Sequence, residues 1–225
     1  MITGLPIYIS VLFIIVTLVT VYLFYRASHQ SDITFIVLAS WLMIQAIISL
    51  KGFYTTTDTI PPHIALLAAP AVLLIIFLFA TKKGRAYIDS FDTYLLTNLH
   101  AIRVPVEIIL FALFSHKLIP GLMTFEGRNF DIFSGVTAPF VAWLGYDKKR
   151  LSRNTMLIWN FICLALVLNV AIHGMLSAPT RIQQFAFDQP NIAILYFPFA
   201  WLPAFVVPIV VFSHLVCIRQ LLKSK

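Results

Sequence analysis

The sequence predicts an all-α integral membrane protein: a single domain built as a bundle of seven transmembrane helices, with the N-terminus outside and the C-terminus cytoplasmic. Three observations lead there. The 225 residues are 60 % hydrophobic and 11 % charged, against roughly a quarter charged in soluble domains. Apolar runs recur at about 20 residues, the length a helix rising 1.5 Å per residue needs to cross a core about 30 Å thick. Lys and Arg gather in alternate loops, as they do on the cytoplasmic side of membranes.

The first span, 5–26 ("LPIYISVLFIIVTLVTVYLFYR"), follows an uncharged start, so it reads as a retained helix and not as a cleaved leader. The second, 33–50, is shorter, and the third, 62–81, is apolar throughout. A fourth segment, 91–118, opens polar along the inner interface before turning apolar. The fifth, 130–146, carries Ser134, Gly135, Thr137 and Pro139, tolerable in a helix packed inside the bundle. The sixth, 155–176, and seventh, 191–221, are long, and the seventh is punctuated by Pro198, Pro203 and Pro208. Cys163 and Cys217 fall within spans, which argues against a secreted disulfide framework.

With seven helices, eleven basic residues from Arg26 to Lys225 fall on one side and Lys51, Lys117, Arg128 and Arg181 on the other. That asymmetry sets the orientation. It also accounts for the +7 net charge through pairing with anionic lipid head groups, and so excludes nucleic acid as the partner. Trp143 and Trp159 are expected at the inner head-group boundary. The 177–190 loop, with Ile182, Phe185 and Phe187, is expected to rest against the lipid boundary.

Ionisable groups inside a bilayer are costly and face the bundle interior. His100, Arg103 and Glu107 form one stripe of the fourth helix, with Arg103 and Glu107 spaced as an i,i+4 ion pair and Pro105 kinking the helix beside them. Glu107 reads as a proton or cation acceptor, or as half of a structural pair held by Arg103. His214, on the seventh helix, lies at a depth where it can meet His100 and Arg103. Asn160 and Asn169 read as interhelical hydrogen-bonding residues.

The outer rim collects His63, His116, His173, Asp58, Arg181, Asp188 and the stretch "MTFEGRNFDIFSG" (123–135). Within that stretch Gly127 serves a tight reversal and Asn129 or Asp131 caps the fifth helix. Arg128 and then Glu126 are left as binding candidates. No zinc-protease, CxxC, nucleophile-elbow or phosphate-loop motif fixes a chemistry. Retinal proteins carry a chromophore-bearing lysine in the last helix, and residues 191–218 contain none.

These readings give a multi-pass protein of the plasma or inner membrane that binds a small solute or ion in an outward-facing polar vestibule, as carrier, channel or sensor. Its ligand-binding candidates are Glu107, Arg103, Arg128, Glu126, His173 and His116. The alternative is a membrane-embedded enzyme acting on a lipid or lipid-linked substrate at the outer rim. There His116 or His173 would be the base and Arg128 would hold an anionic head group. Zinc, or haem between paired histidines, is the cofactor chemistry compatible with that alternative; the sequence names no cofactor.

Overall fold

The computed structural model describes residues 2–223, which are helical with no strand among them. Lys225, counted in the charge asymmetry, lies outside the described residues. Helix α1 spans Ile7–Ala27 and α2 spans Asp32–Leu50, with the Ser31 hydroxyl accepting from the Thr34 amide at 3.3 Å to cap α2. Helix α3 (Ala65–Ala80) ends in a 96° bend into α4 (Lys82–Asp89). At the bend Thr81 turns extended and its hydroxyl caps the new helix by accepting from Gly84 N, while Arg85 donates to the Phe79 and Ala80 carbonyls left open at the end of α3. A search for apolar runs passes over α4, because "KKGRAYID" is a short polar helix.

Asp92 caps α5 (Thr93–Leu99), which passes through a 3₁₀ turn at His100–Ile102 into α6 (Arg103–Ser115). The turn contains Ala101, the carbonyl four residues before Pro105, so it stands where that proline withdraws a backbone donor. Helix α7 is short, Ile132–Ala142 with a π-helical extension through Trp143–Asp147. Helix α8 runs Arg153–Leu176 from a Ser152 cap. Before α9 (Val207–Lys223), a π-helical stretch at Leu202–Val206 takes up Pro203, and the Ala204 carbonyl that Pro208 cannot bond accepts from Trp41 Nε1 at 2.8 Å.

Five helical stretches are long and apolar enough to cross a membrane: Ile7–Ala27, Asp32–Leu50, Thr93–Ser115, Arg153–Leu176 and Leu202–Lys223. The bent α3–α4 pair makes up to six. The remaining stretch expected to span, 130–146, supplies an 11-residue α-helix and a 5-residue π extension, too short to qualify alone. Outward faces of α1, α2, α3 and α8 expose Ile15, Ile36, Phe77 and Ile158. Soluble monomers seldom show apolar surface of that extent, which is compatible with membrane-spanning helices.

The bundle interior is built around Thr93–Ser115 and α9, on which α1, α7 and α8 pack. Helix α7 packs on α5, the 3₁₀ turn and α6 and buries the small residues Ser134, Gly135, Ala138 and Ala142. A Cβ on Gly135 would stand 2.8 Å from Val104 Cγ2 and 2.9 Å from the Val104 amide, so the two backbones approach as closely as only glycine permits.

One end of the bundle, here the Thr93 end, is tied by Asp92 N donating to Ala27 O at 2.9 Å and by Arg153 donating to Leu222 O at 3.0 Å. There Arg219 forks onto Asp89 at 2.7 and 3.0 Å, and Lys223 pairs with the same carboxylate. The Arg219 hydrogen bonds, joined by the Lys223 charge, hold the Asp89 carboxyl below the usual carboxylate range. A depressed pKa contributes stability above the unfolded value near 4, lost as pH falls through the folded one. Asp89→Asn is therefore expected to lower the thermal midpoint at pH 7 by a modest amount, equivalent to about 1 kcal/mol or less. The gap to the parent should close as pH drops below about 4, and thermal scans of both in detergent between pH 3 and 7 check this.

A buried ion pair and an unmatched carboxylate

Residues 116–131 leave the top of α6 and turn back down along it without forming a regular helix beyond a 3₁₀ turn at Gly121–Met123. Their contacts descend one face of α6 in steps of four. The Phe125 ring stacks on Phe111 with centroids 4.9 Å apart, Asn129 meets Glu107, and Asp131 meets Arg103. Eight residues of helix make that descent about 12 Å. Gly127 is required for space rather than for a left-handed backbone, since a Cβ there would run into the Gly121 carbonyl and Leu122 Cα. The irregular backbone is enclosed by protein, with Thr124, Asn129 and Asp131 all buried.

Arg103 is the hub at the lower end of this descent. It is 3 % exposed, donates from Nε to Asp131 Oδ2 at 2.6 Å and from Nη2 to Asp131 Oδ1, and also donates from Nη2 to the Cys163 carbonyl at 3.0 Å. Its Nη1 lies 3.0 Å from His214 Nε2, and the other ring nitrogen of His214 lies 2.9 Å from Asn160 Oδ1. Asn160 in turn donates to Met156 O. The i,i+4 ion pair between Arg103 and Glu107 expected from spacing is not formed. Asp131 approaches instead as a two-oxygen fork that matches the guanidinium, and Glu107 bonds Asn129. For the same reason Arg103 does not snorkel, and Asp131 joins Glu107 as a deep acid instead of capping α7.

Helix α7 starts without a side-chain cap; Asn129 closes a local turn before it, its Oδ1 accepting from Asp131 N at 2.9 Å while its Nδ2 donates to Glu107 Oε1 at 2.6 Å and to Met123 O at 2.9 Å. Glu107 is 1 % exposed, and its Oε2 has no hydrogen-bond partner. Seven residues before Glu107, His100 is fully buried, stacked on the His214 ring at 3.8 Å, with neither ring nitrogen bonded. Trp159 closes this pocket, edge-on to His100 and tilted to His214, and donates from Nε1 to Thr137 Oγ1 at 2.9 Å. It is buried among the helices, whereas Trp143, with Lys148 over its ring, is exposed.

The rim candidates are not drawn together. Glu126 and Arg128 are both exposed and form no ion pair among the described residues; Arg128 is engaged through its carbonyl, which accepts from Asn169 Nδ2 at 3.0 Å. His116 and His173 each turn Nδ1 to the carbonyl four residues back, at 2.8 Å, and His63 bonds the Phe53 carbonyl. Phe185 folds inward against His173, leaving Ile182 and Phe187 exposed. No group of three metal-ligating side chains occurs among the described residues. Both His214 nitrogens are engaged, and rings stacked at 3.8 Å leave no slot for a porphyrin, so the histidine pair does not fit haem.

Sequence reasoning missed Asn129 and Asp131 as members of the site, having assigned both to helix capping. The signal available was the charge of Arg103, which needs a partner inside the bundle and has only two acids within reach in the chain's interior.

Replacing Asp131 by Asn strands Arg103, and the expected loss is about 3–5 kcal/mol. Glu107→Gln keeps an acceptor for Asn129 and should cost about 1 kcal/mol or less. Thermal or denaturant midpoints of the two variants in detergent check the contrast, and equal losses would contradict the assignment of Arg103 to Asp131.

No curated protein and no solved structure matches the chain. Residues 60–222 match the model of a domain of unknown function, DUF8737. The match takes in α3 to α9 and every residue of the buried cluster, and the chain belongs to that family.

Proposed function

We propose that the chain is a multi-pass carrier of a small cation, most simply a proton, with Glu107 as the group that binds and releases it. A charge count carries this reading. Two carboxylates, Glu107 and Asp131, and one guanidinium are buried together, and Asp131 occupies the guanidinium with both oxygens. Glu107 is left with one neutral amide donor and an unbonded second oxygen. An unmatched carboxylate is too costly at that depth to stay bare, so it holds a proton or a cation.

The non-helical descent beside α6 supports the same reading. Discontinuous helices in transporters place polar groups and irregular backbone at mid-membrane binding sites. His100, with both nitrogens free one turn below Arg103, is the next acceptor toward the Thr93 end. In this proposal the segment 116–131 and α7 together make a seventh pass, the Thr93 end with Arg26, Lys82, Lys83, Arg85, Lys148 and Arg153 faces the cytoplasm, and the Ser115 end faces outward. Glu126, Arg128, His116 and His173 then form the rim of an outward vestibule above Glu107.

Proteoliposomes loaded with a trapped fluorescent pH indicator provide the test. Wild-type protein should dissipate an imposed pH gradient faster than protein-free vesicles, and Glu107→Gln, folded by circular dichroism and thermal midpoint, should fall to the protein-free rate. Wild-type vesicles no faster than empty ones, or Glu107→Gln as fast as wild type, would refute the proposal.

A further inference from the structure

A second feature lies apart from the buried cluster. Helices α3, α8 and the α9 arm enclose an apolar cleft of about 330 Å³, whose walls include Val72 and Ile76, Leu168 and Ala171, and Val207 and Val211. Small-molecule sites begin near that volume. The cleft is open sideways, since Val72, Ile76 and Leu168 are 46, 57 and 41 % exposed on the faces turned toward lipid. Along the α9 arm its wall runs from Leu202 to Leu215, 13 residues or about 20 Å. One leaflet of a core about 30 Å thick contributes about half that thickness. The cleft therefore accommodates a chain standing along the membrane normal.

Its exposed lining is apolar throughout, and at the Ser115 end it is bounded by Gly174 and by Asn191, which is fully buried behind that lining. Asn191 Nδ2 donates to the Gly174 carbonyl at 3.0 Å, which fixes the orientation of the amide, and Oδ1 is left without a partner. A buried acceptor with no donor costs about 1–3 kcal/mol, and the chemistry that satisfies it is a single O–H. Of the two side chains nearest Gly174, one is Asn191 itself and the other is Met123, an adaptable thioether that also lines the cleft and yields readily to a ligand.

We propose that this cleft binds a single-chain lipid alcohol, a long-chain or prenyl alcohol. Its hydrocarbon tail lies between α3, α8 and α9, and its hydroxyl donates to Asn191 Oδ1. The acceptor at one end and the unbroken apolar wall beyond it together set polarity and direction, which a plain acyl chain of the surrounding bilayer would not use.

The test uses the purified full chain in nanodiscs, with a photoreactive hexadecanol and a photoreactive hexadecane of the same length, followed by peptide mapping. Saturable labelling of α3, α8 and α9 by the alcohol, displaced by excess hexadecanol, is expected, with roughly fivefold preference over the alkane. Ala171→Trp, at a half-exposed wall position, should abolish that labelling while leaving the thermal midpoint intact. Asn191→Leu should bring alcohol and alkane to parity. Labelling that does not saturate, that spreads equally over the outer faces of α1 and α2, that persists in Ala171→Trp, or that shows no preference for the alcohol would overturn the proposal. Loss of proton flux in the Glu107 variant has no bearing on this outcome, so the two readings fail separately.

Discussion

The fork of Arg103 on Asp131 is the interaction on which the interior of this molecule depends. A guanidinium removed from water repays its desolvation only when its donors are met with good geometry. Here Nε and Nη2 reach the carboxylate, Nη2 also reaches the Cys163 carbonyl, and Nη1 faces His214. Those partners sit on α7, α8 and α9, so one side chain of α6 joins four elements. Removing any arm leaves an ion or a carbonyl stranded in a region that water does not serve.

The same fork determines the shape of the chain around it. For Asp131 to reach Arg103, residues 116–131 must descend along α6 instead of beginning a helix at the bundle's rim, and α7 is short as a consequence. The descent brings Asn129 to Glu107. It also brings Gly135 against Val104, where a side chain larger than hydrogen would push α7 away and open the ion pair. Because the positive charge is taken, Glu107 is left with the Asn129 amide and an unbonded second oxygen, and the proposed function grows from that remainder.

Much of the fold was legible in the sequence, for a plain reason: lipid exposure demands long apolar runs, and α1, α2, Thr93–Ser115 and α8 lie within one to three residues of the runs that signal them. Pro105 led to the expectation of a kink, where the structure has a 3₁₀ turn, and the similar depth of His100, Arg103 and His214 made their meeting possible. What was illegible involved exceptions to periodicity. Helix α4 is too polar to register as a span, and the descent of 116–131 has no period at all. Glu126 and Arg128 drew attention as unexplained charges, yet they are the exposed members of their stretch. Asn129 and Asp131, explained away as caps, are the buried ones. Helix-start residues serve as caps in water; beside a buried guanidinium the stronger partner wins the carboxylate.

Double-mutant cycles on the three buried charges test the central claim most directly, with unfolding free energies measured for Arg103→Leu combined with Asp131→Leu and, separately, with Glu107→Leu. The account predicts a coupling of about 3 kcal/mol or more between Arg103 and Asp131 and well under 1 kcal/mol between Arg103 and Glu107. The reverse ordering, or equal couplings, would mean that Arg103 belongs to Glu107 after all and that no unmatched carboxylate exists.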